Sequence, residues 1–493
     1  MKPLHRTPKA LLALILCVAA VAACGDNEAG STGRNSDTDT SDGSGSGVQS
    51  DAATDGSATT DADDNNDDGG EETDVEETDT TDEEDGVDDD TDDEDAEVDP
   101  DTEPGTDTDD GTTDVIDEPL GPPPCSGSGA SVEGALIPPA APGLTAALPS
   151  CASAVHVLVA PAGSRWQVQA TGLPADAHLY AYSAHYLQHL GMGVAREPLG
   201  SSDFAGDSAE AVVEFNPQWS GEQAIVVARD DGRTEGDYTL TATCLSGCEL
   251  RTTRYPVALL HGYAGVDSYF GILDYFHDVR GPLTERGYLL SAPVTNPIDQ
   301  SDTRADQLAE QLTEWMEETG ARKVNMVAHS QGGLDGRLLI AGKGWSDRVA
   351  SLTTIATPHG GIPLILADFL SVQDFSPDYM DVFNTAYPNH PDVRYWSWSS
   401  RSCGILQPIC IANSDGEVVD ALLGASYTLL LRFGENDGIV PTESMVWGEH
   451  LGMLYADHFD EVGQIADLNL PIDPFDHRDF YRSEMERLAA AGF

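Results

Sequence analysis

The sequence predicts an α/β chain: a mostly parallel sheet covered by helices over residues 251–493, with a small β-sandwich and a long acidic stretch before it. Three observations predict this. Continuous apolar runs at Tyr255–Leu260, Tyr288–Val294, Val324–Ala328 and Val349–Ile355 alternate with helical segments such as Ala305–Gly320, whose Leu308, Leu312 and Trp315 fall on one face. Strands that alternate with helices build a parallel sheet buried on both sides. Between 125 and 250 the apolar runs are shorter, alternate with polar residues and are bounded by Gly, Pro and Asp, as in a sandwich. The charge is also uneven. Residues 26–118 hold 39 of the 86 acidic residues against one base, Arg34, whereas 119–493 hold 47 acids against 20 bases.

That charge excludes some functions. A nucleic-acid binder needs a basic face to replace counterions, and none is visible in a chain of net charge −62. A multi-pass membrane protein needs several long uncharged runs. This chain has one short apolar run, Ala10 to Ala23, behind Lys2, Arg6 and Lys9. Such a run reads as the core of an export signal over residues 1–23. It ends Val21-Ala22-Ala23-Cys24-Gly25, which resembles the lipobox of bacterial lipoproteins. The resemblance implies that Cys24 is lipidated and becomes the N-terminus. Acyl chains would then hold the exported protein on a membrane of the cell envelope, at the outer membrane or cell surface.

Residues 24–124 read as a disordered tether. They have almost no apolar area to offset ordering entropy, and like charges extend them. Even a neutral coil of this length would average roughly 55 Å end to end. The sandwich follows over 125–250, with strands expected at Val155–Val159, Trp166–Ala170, Ala211–Phe215, Gln223–Ala228 and Tyr238–Thr243. The stretch Glu222–Cys244 resembles the last hairpin of bacterial pre-peptidase C-terminal domains, accessory modules of secreted hydrolases. His185 and His189 are four residues apart, but no third metal ligand accompanies them. Setting aside Cys17 and Cys24, six cysteines remain, which fits an oxidising compartment, and pairing neighbours joins 125 to 151, 244 to 248 and 403 to 410.

The clearest motif is Val327-Ala328-His329-Ser330-Gln331-Gly332-Gly333, a serine between small residues after an apolar strand and before a helix. This is the nucleophile elbow of α/β-hydrolases, with Ala328 where the first Gly usually stands. Small residues are needed because Ser330 must stand on a tight strand-to-helix turn with its hydroxyl clear. A serine also needs a base held by an acid, in the order Ser, acid, His. Asp437, in Gly434-Glu435-Asn436-Asp437-Gly438 after an expected strand Tyr427–Phe433, is the acid, with Glu435 as the alternative. His458, after the run Leu451–Tyr455, is the base, with His450 as the alternative. Backbone N–H groups of Tyr263, in His261-Gly262-Tyr263-Ala264-Gly265, and of Gln331 are the candidate oxyanion donors. His261 itself reads as structural.

These segments, with Tyr395-Trp396-Ser397-Trp398, Asn436-Asp437-Gly438-Ile439-Val440 and His458-Phe459-Asp460-Glu461-Val462-Gly463-Gln464, resemble the pseudomonad-type true lipases in order over 255–493. The resemblance implies triacylglycerol hydrolysis, and it carries the family triad onto the same Ser330, Asp437 and His458. No cofactor is implied for the chemistry. A structural Ca²⁺ is implied, with Asp460, the Gln464 and Leu468 carbonyls, and Glu417 or alternatively Asp415 as ligands. Two carboxylates and carbonyls suit a hard cation.

The family's long helical lid has only some twenty residues to occupy between Phe369 and Val393. An open site with short-chain ester turnover is therefore expected, rimmed by Ile362, Leu364, Ile365, Leu366 and Phe369. Some members of that family need a dedicated foldase, a partner the resemblance leaves open. The chain is expected to act as a monomer on lipid esters. A polyester depolymerase of the polyhydroxyalkanoate type, or an inactive surface-binding lipoprotein, are the alternatives.

Overall fold

The computed structural model describes residues 136–137, 143–148, 153–173, 177–190, 197–202, 209–229, 236–263, 268–269, 273–297, 299–363, 365–367, 373–413, 417–464 and 475–493. The export signal, Cys24, the tether, Cys125, Cys151, Ala264, Gly265, Leu364, Phe369, Asp415 and Leu468 lie outside the described residues.

The first part of the described chain is a sandwich of two four-stranded antiparallel sheets. Its strands are β1 (Leu144–Leu148), β2 (Ser153–Ala160), β3 (Arg165–Thr171), β4 (Ala177–Tyr182), β5 (Gly200–Ser201), β6 (Glu210–Phe215), β7 (Gly221–Arg229) and β8 (Gly236–Ser246). One sheet runs β1-β8-β3-β6 and the other β2-β7-β4-β5. Trp166, Val168, Phe215, Tyr238 and Leu240 of the first sheet meet Leu158, Leu179, Ile225 and Val227 of the second to form the core. The five strands expected from alternation are all present. The Cys244–Cys248 disulfide closes the last strand.

β7 is buried on both faces, and a second apolar layer of Val157, Tyr182, Ala224 and Val226 explains why. This face turns toward the helical part of the chain. Helix α1 (Ala184–Gln188) reaches α3 (Ser301–Thr319), where His185 Nε2 lies 3.1 Å from the Glu317 carbonyl and Gln188 Nε2 donates to the Met316 carbonyl at 3.4 Å. His185 and His189 thus sit against backbone carbonyls of α3 and α1. Gly320, at the end of α3, has φ +74, and a Cβ there would strike the His185 backbone. Both conditions call for glycine. Glu222 is nearly buried and accepts from Arg254 at 2.7 Å and Arg322 at 2.8 Å. A buried charge bound on both sides in this way resists separation of the two parts. They belong to one compact unit.

The second part is a six-stranded sheet in the order β12-β9-β13-β14-β15-β16, and every pairing in it is parallel. Its strands are β9 (Val257–Leu260), β12 (Leu290–Ser291), β13 (Val324–His329), β14 (Val349–Ile355), β15 (Arg394–Arg401) and β16 (Glu449–Tyr455); a short ribbon, β10 (Ser268–Tyr269) and β11 (Leu273–Asp274), lies between the first two. Successive β9 residues alternate between two cores. Val257 and Leu259 join one with helices α2 (Arg280–Glu285) and α8 (His477–Ala490), and Ala258 and Leu260 join the other with α3 and α4 (Gln331–Gly342). Two apolar faces make such a strand read as an unbroken apolar run.

Two expected strands are corrected. Tyr288–Val294 contributes only the two residues of β12 to the sheet. Tyr427–Phe433 is helix α7 (Gly424–Leu430) followed by a 3₁₀ turn, Leu431–Phe433, after α5 (Pro377–Ala386) and α6 (Pro408–Asn413). In α7 only Tyr427 and Leu430 are buried, three residues apart, and the run holds a single β-branched residue, Thr428. Helical spacing and leucine content decide against a strand. The strand that precedes β16 is β15, which the resemblance had marked by its Tyr-Trp-Ser-Trp segment but periodicity had not.

Candidate active site

Ser330 is the N-cap of α4, directly after β13, with φ 54 and ψ −129. This conformation is strained for a residue with a Cβ. The surroundings hold it: Ser330 N donates to the Ile355 carbonyl at 2.9 Å, and Thr357 Oγ1 and Gly333 N donate to the Ser330 carbonyl at 2.8 and 3.1 Å. The elbow also needs space. A Cβ on Gly332 would lie 2.5 Å from the Leu260 carbonyl oxygen, and one on Gly262 would lie 2.7 Å from Ser330 Cβ. The end of β9 therefore touches the serine itself.

His458 follows β16, and its Nε2 lies 3.0 Å from Ser330 Oγ. Its Nδ1 lies 2.7 Å from Asp437 Oδ2. Asp437 is fully buried, and its other oxygen accepts from Ile439 N at 2.8 Å and Val440 N at 2.7 Å. His458 N donates to the Asp437 carbonyl at 3.0 Å, so the backbones of acid and base are joined too. The alternatives lie elsewhere. Glu435 pairs with Arg401 in an exposed contact, and His450 Nε2 lies 2.9 Å from Ser399 Oγ.

Both expected oxyanion donors lie at this point. Gln331 N–H is the first of α4, where the helix offers it no partner of its own. Tyr263 follows Gly262, and its ring meets Phe375 edge-on at 6.3 Å. This loop is braced from beneath. Arg304, fully buried in α3, pairs with Asp335 at 2.7 Å and donates to the His261 carbonyl at 2.7 Å and the Gly262 carbonyl at 3.3 Å. His261 Nε2 accepts from Thr295 N at 3.0 Å, and burial, with the Arg304 charge, holds its pKa down to about 4. The ring is thus neutral and its role is to shape the loop.

A buried network that sequence reading missed lies behind the imidazole. His329 Nδ1 is 2.7 Å from Tyr275 Oη and Nε2 is 2.7 Å from Glu461 Oε2, while Ser400 Oγ donates to the other Glu461 oxygen. Burial and then the Asp437 charge push the Glu461 carboxyl well up, and burial and then His458 push His329 well down. Two proton placements fit these bonds, and the two shifts favour the one in which Glu461, as a neutral acid, donates to His329 Nε2 and His329 Nδ1–H donates to Tyr275. His458 Nδ1 lies 2.7 Å from Asp437 and 3.9 Å from Glu461. Glutamine would reproduce the neutral acid's bonds, so Glu461→Gln is expected to retain ester turnover within about threefold, read as kcat. A loss of a hundredfold would mean that Glu461 works as an anion. Only position +3 from His458 hinted at this residue in the sequence.

Glu417, Asp457 and Asp460 are buried, with carboxylate oxygens all within 4.8 Å of one another. Asp457, next to His458, was not among the expected ligands. Its oxygens also accept from Phe459 N at 2.9 Å and Asp420 N at 2.7 Å. Burial and the Asp420 charge raise its pKa to about 7. A cluster of hard oxygen donors whose negative charges oppose one another is chemically suited to a divalent cation. Gln464, the third expected residue that is described, is buried and donates from its N–H to the Phe459 carbonyl at 2.9 Å.

The expected apolar rim is corrected in part. Ile362 and Leu366 are core residues, drawn inward with Ala367 against the sheet. Ile365 is exposed and lines a cavity of about 770 Å³ with Gly360, Gly361, Phe433 and Ser444. Neither Ser330 nor His458 lines this cavity, which lies between the loop after β14 and the one around the acid.

Residues 255–386 match the family described as alpha/beta hydrolase fold. With the six parallel strands and the elbow, that match is decisive for the fold. This part of the chain has the alpha/beta hydrolase fold. Over 125 residues, a quarter of the chain, the protein is 40% identical to triacylglycerol lipases of Pseudarthrobacter phenanthrenivorans and Burkholderia plantarii. The match spans 37% and 33% of those two proteins, about a third of their length. A triacylglycerol lipase of Vibrio cholerae is 29% identical over 311 residues, which cover 51% of this chain and 93% of that one. Among solved structures, a Bacillus licheniformis lipase in its mature form aligns at 22% identity and TM-score 0.38, over 48% of this chain and 92% of its own.

Proposed function

We propose that this alpha/beta hydrolase is a serine carboxylic-ester hydrolase of the triacylglycerol lipase type. The carrying observation is the unbroken hydrogen-bonded run from Ser330 Oγ through His458 to the buried Asp437. Ser330 Oγ attacks the ester carbonyl carbon as His458 Nε2 takes its proton. The carbonyl oxygen becomes an oxyanion facing the N–H groups of Tyr263 and Gln331. His458 passes the proton to the leaving alcohol, whose C–O bond breaks and leaves an acyl-serine. Water, deprotonated by His458, then releases the acid and restores Ser330. Asp437 holds the imidazole in the needed tautomer throughout. The chemistry needs no cofactor.

The reading is tested by titration with a serine-reactive phosphonate and a panel of p-nitrophenyl esters, emulsified triolein and polyester film. One equivalent of label, absent in Ser330→Ala, is the expected result. Labelling elsewhere, or no turnover of any ester, would reject it. Triolein against film separates the lipase from the polyester depolymerase.

A structural Ca²⁺ fits the acids beside His458. Glu417, Asp457 and Asp460 would hold it, with Gln464 contributing its carbonyl, and it would brace the loop that carries the base. Asp457, raised to about 7, binds a proton in the folded chain that the unfolded chain, near 3.8, does not. The stability gained from that proton is full below pH 3.8 and is lost as pH rises through 7. A cation replaces the proton. Millimolar Ca²⁺ is therefore expected to raise the melting temperature by several degrees at pH 8, and less at pH 5. An identical shift at both pH values, or no rise when Ca²⁺ is added back to chelator-stripped protein, would count against the ion.

The apolar N-terminal run and the lipobox-like segment support anchoring of the enzyme on the cell envelope through a lipidated Cys24. Cys24→Ser is expected to move it from the membrane to the soluble fraction.

A further inference from the structure

Beyond β15 the chain makes an apolar projection that the proposed chemistry leaves unused. The Cys403–Cys410 disulfide closes its base, with Cα atoms 5.8 Å apart. That base is fastened to the fold. Cys403 is buried, Val419 N donates to its carbonyl at 2.9 Å, and both Gly404 N and Tyr427 Oη donate to Gln407 Oε1. Ser402 N donates to the carbonyl of Asn436, the neighbour of Asp437, at 3.0 Å. The projection is thus tied to the loop that carries the acid.

Its tip is bare. Ile405, Leu406 and Ile409 are 68%, 90% and 78% exposed, and no residue of α6 is buried. From Ser402 to Ser414 no residue is charged, within a chain of net charge −62. Large aliphatic side chains held out on a covalently stapled base are already ordered, so little freedom is lost when they are covered. A soluble ester molecule gains nothing from them. An uncharged tip offers a charged partner no pairing, and the protein's own charge repels an anionic bilayer.

We propose that the tip between Cys403 and Cys410 is a wedge that enters the surface of neutral acylglycerol droplets and holds the active site against aggregated substrate. This rests on the ester-hydrolase reading. It also gives that reading a means of engaging aggregated substrate from an element outside the short segment between Phe369 and Val393.

Two variants of the full chain test it. Leu406→Trp reports insertion directly, by quenching of the introduced tryptophan with brominated triacylglycerol droplets beyond that of the parent, which has seven tryptophans. The triple variant Ile405→Asp, Leu406→Asp, Ile409→Asp is expected to hydrolyse emulsified triolein about tenfold more slowly or worse, with kcat/KM on a soluble short-chain ester unchanged within twofold. No added quenching overturns the proposal. So does a triple variant that keeps its emulsion rate, or that loses both rates equally. Quenching by brominated phosphatidylglycerol bilayers as strong as by droplets overturns the neutral surface as target. If the parent turns over neither the soluble ester nor the emulsion, the hydrolase reading fails, and the quenching arm still decides the tip.

Discussion

Ser330→Ala is expected to lower kcat/KM for a soluble p-nitrophenyl ester by about 10⁴–10⁶-fold, or roughly 5–8 kcal/mol of barrier. The oxygen 3.0 Å from His458 Nε2 is the one that forms the acyl bond, and alanine has nothing in its place. Folding should scarcely change, because the backbone bonds from Thr357 and Gly333 and to Ile355 remain. A companion variant isolates the strain. At φ 54 and ψ −129 a Cβ is unfavourable, so Ser330→Gly should be equally inactive yet about 1 kcal/mol more stable by denaturant titration. Turnover within tenfold of the parent in either variant would remove Ser330 from the mechanism.

Asp437→Asn is the second large effect, expected at about 10³–10⁴-fold in kcat. The reason is a forced tautomer. One Asp437 oxygen accepts from both Ile439 N and Val440 N, so the asparagine must place its own oxygen there. Its NH₂ then faces His458 Nδ1, which can only accept. The ring proton moves to Nε2, and Nε2 can no longer take the proton of Ser330. Activity should recover partly as pH rises and hydroxide replaces the missing base, whereas the parent should show no such rise. A variant with the parent's pH profile would mean that another carboxylate orients the imidazole. Glu461 is the nearest alternative at 3.9 Å, and its raised pKa is the reason it is not expected to serve.

Much of the fold was legible because its signals are local. β13 and β14 are double-faced strands and appear as apolar runs; the sandwich strands alternate. The elbow was legible for a steric reason: the residues around Ser330 must be small wherever such a turn occurs. The strand before the acid was misread for a physical reason as well. A seven-residue leucine-rich run fits either a buried strand or a short helix, and only the packing of Tyr427 and Leu430 separates them. Ile362 and Leu366 likewise read as rim residues in the sequence, which cannot distinguish an apolar side chain facing the sheet from one facing a cavity.

The sequence by itself determined the order of chemical groups: a serine in a cramped turn, an acid in a glycine-bounded loop, a histidine after the last strand, and an acidic tract with no apolar area to fold. Only the tertiary structure decided what those groups meet. Burial and neighbouring charge at distances of a few ångströms push the Glu461 carboxyl pKa up and the His261 pKa down, crowd Asp457 with Glu417 and Asp460, and leave Leu406 in the open. Protonation and exposure depend on surroundings brought together from segments tens to hundreds of residues apart, and no local pattern records them.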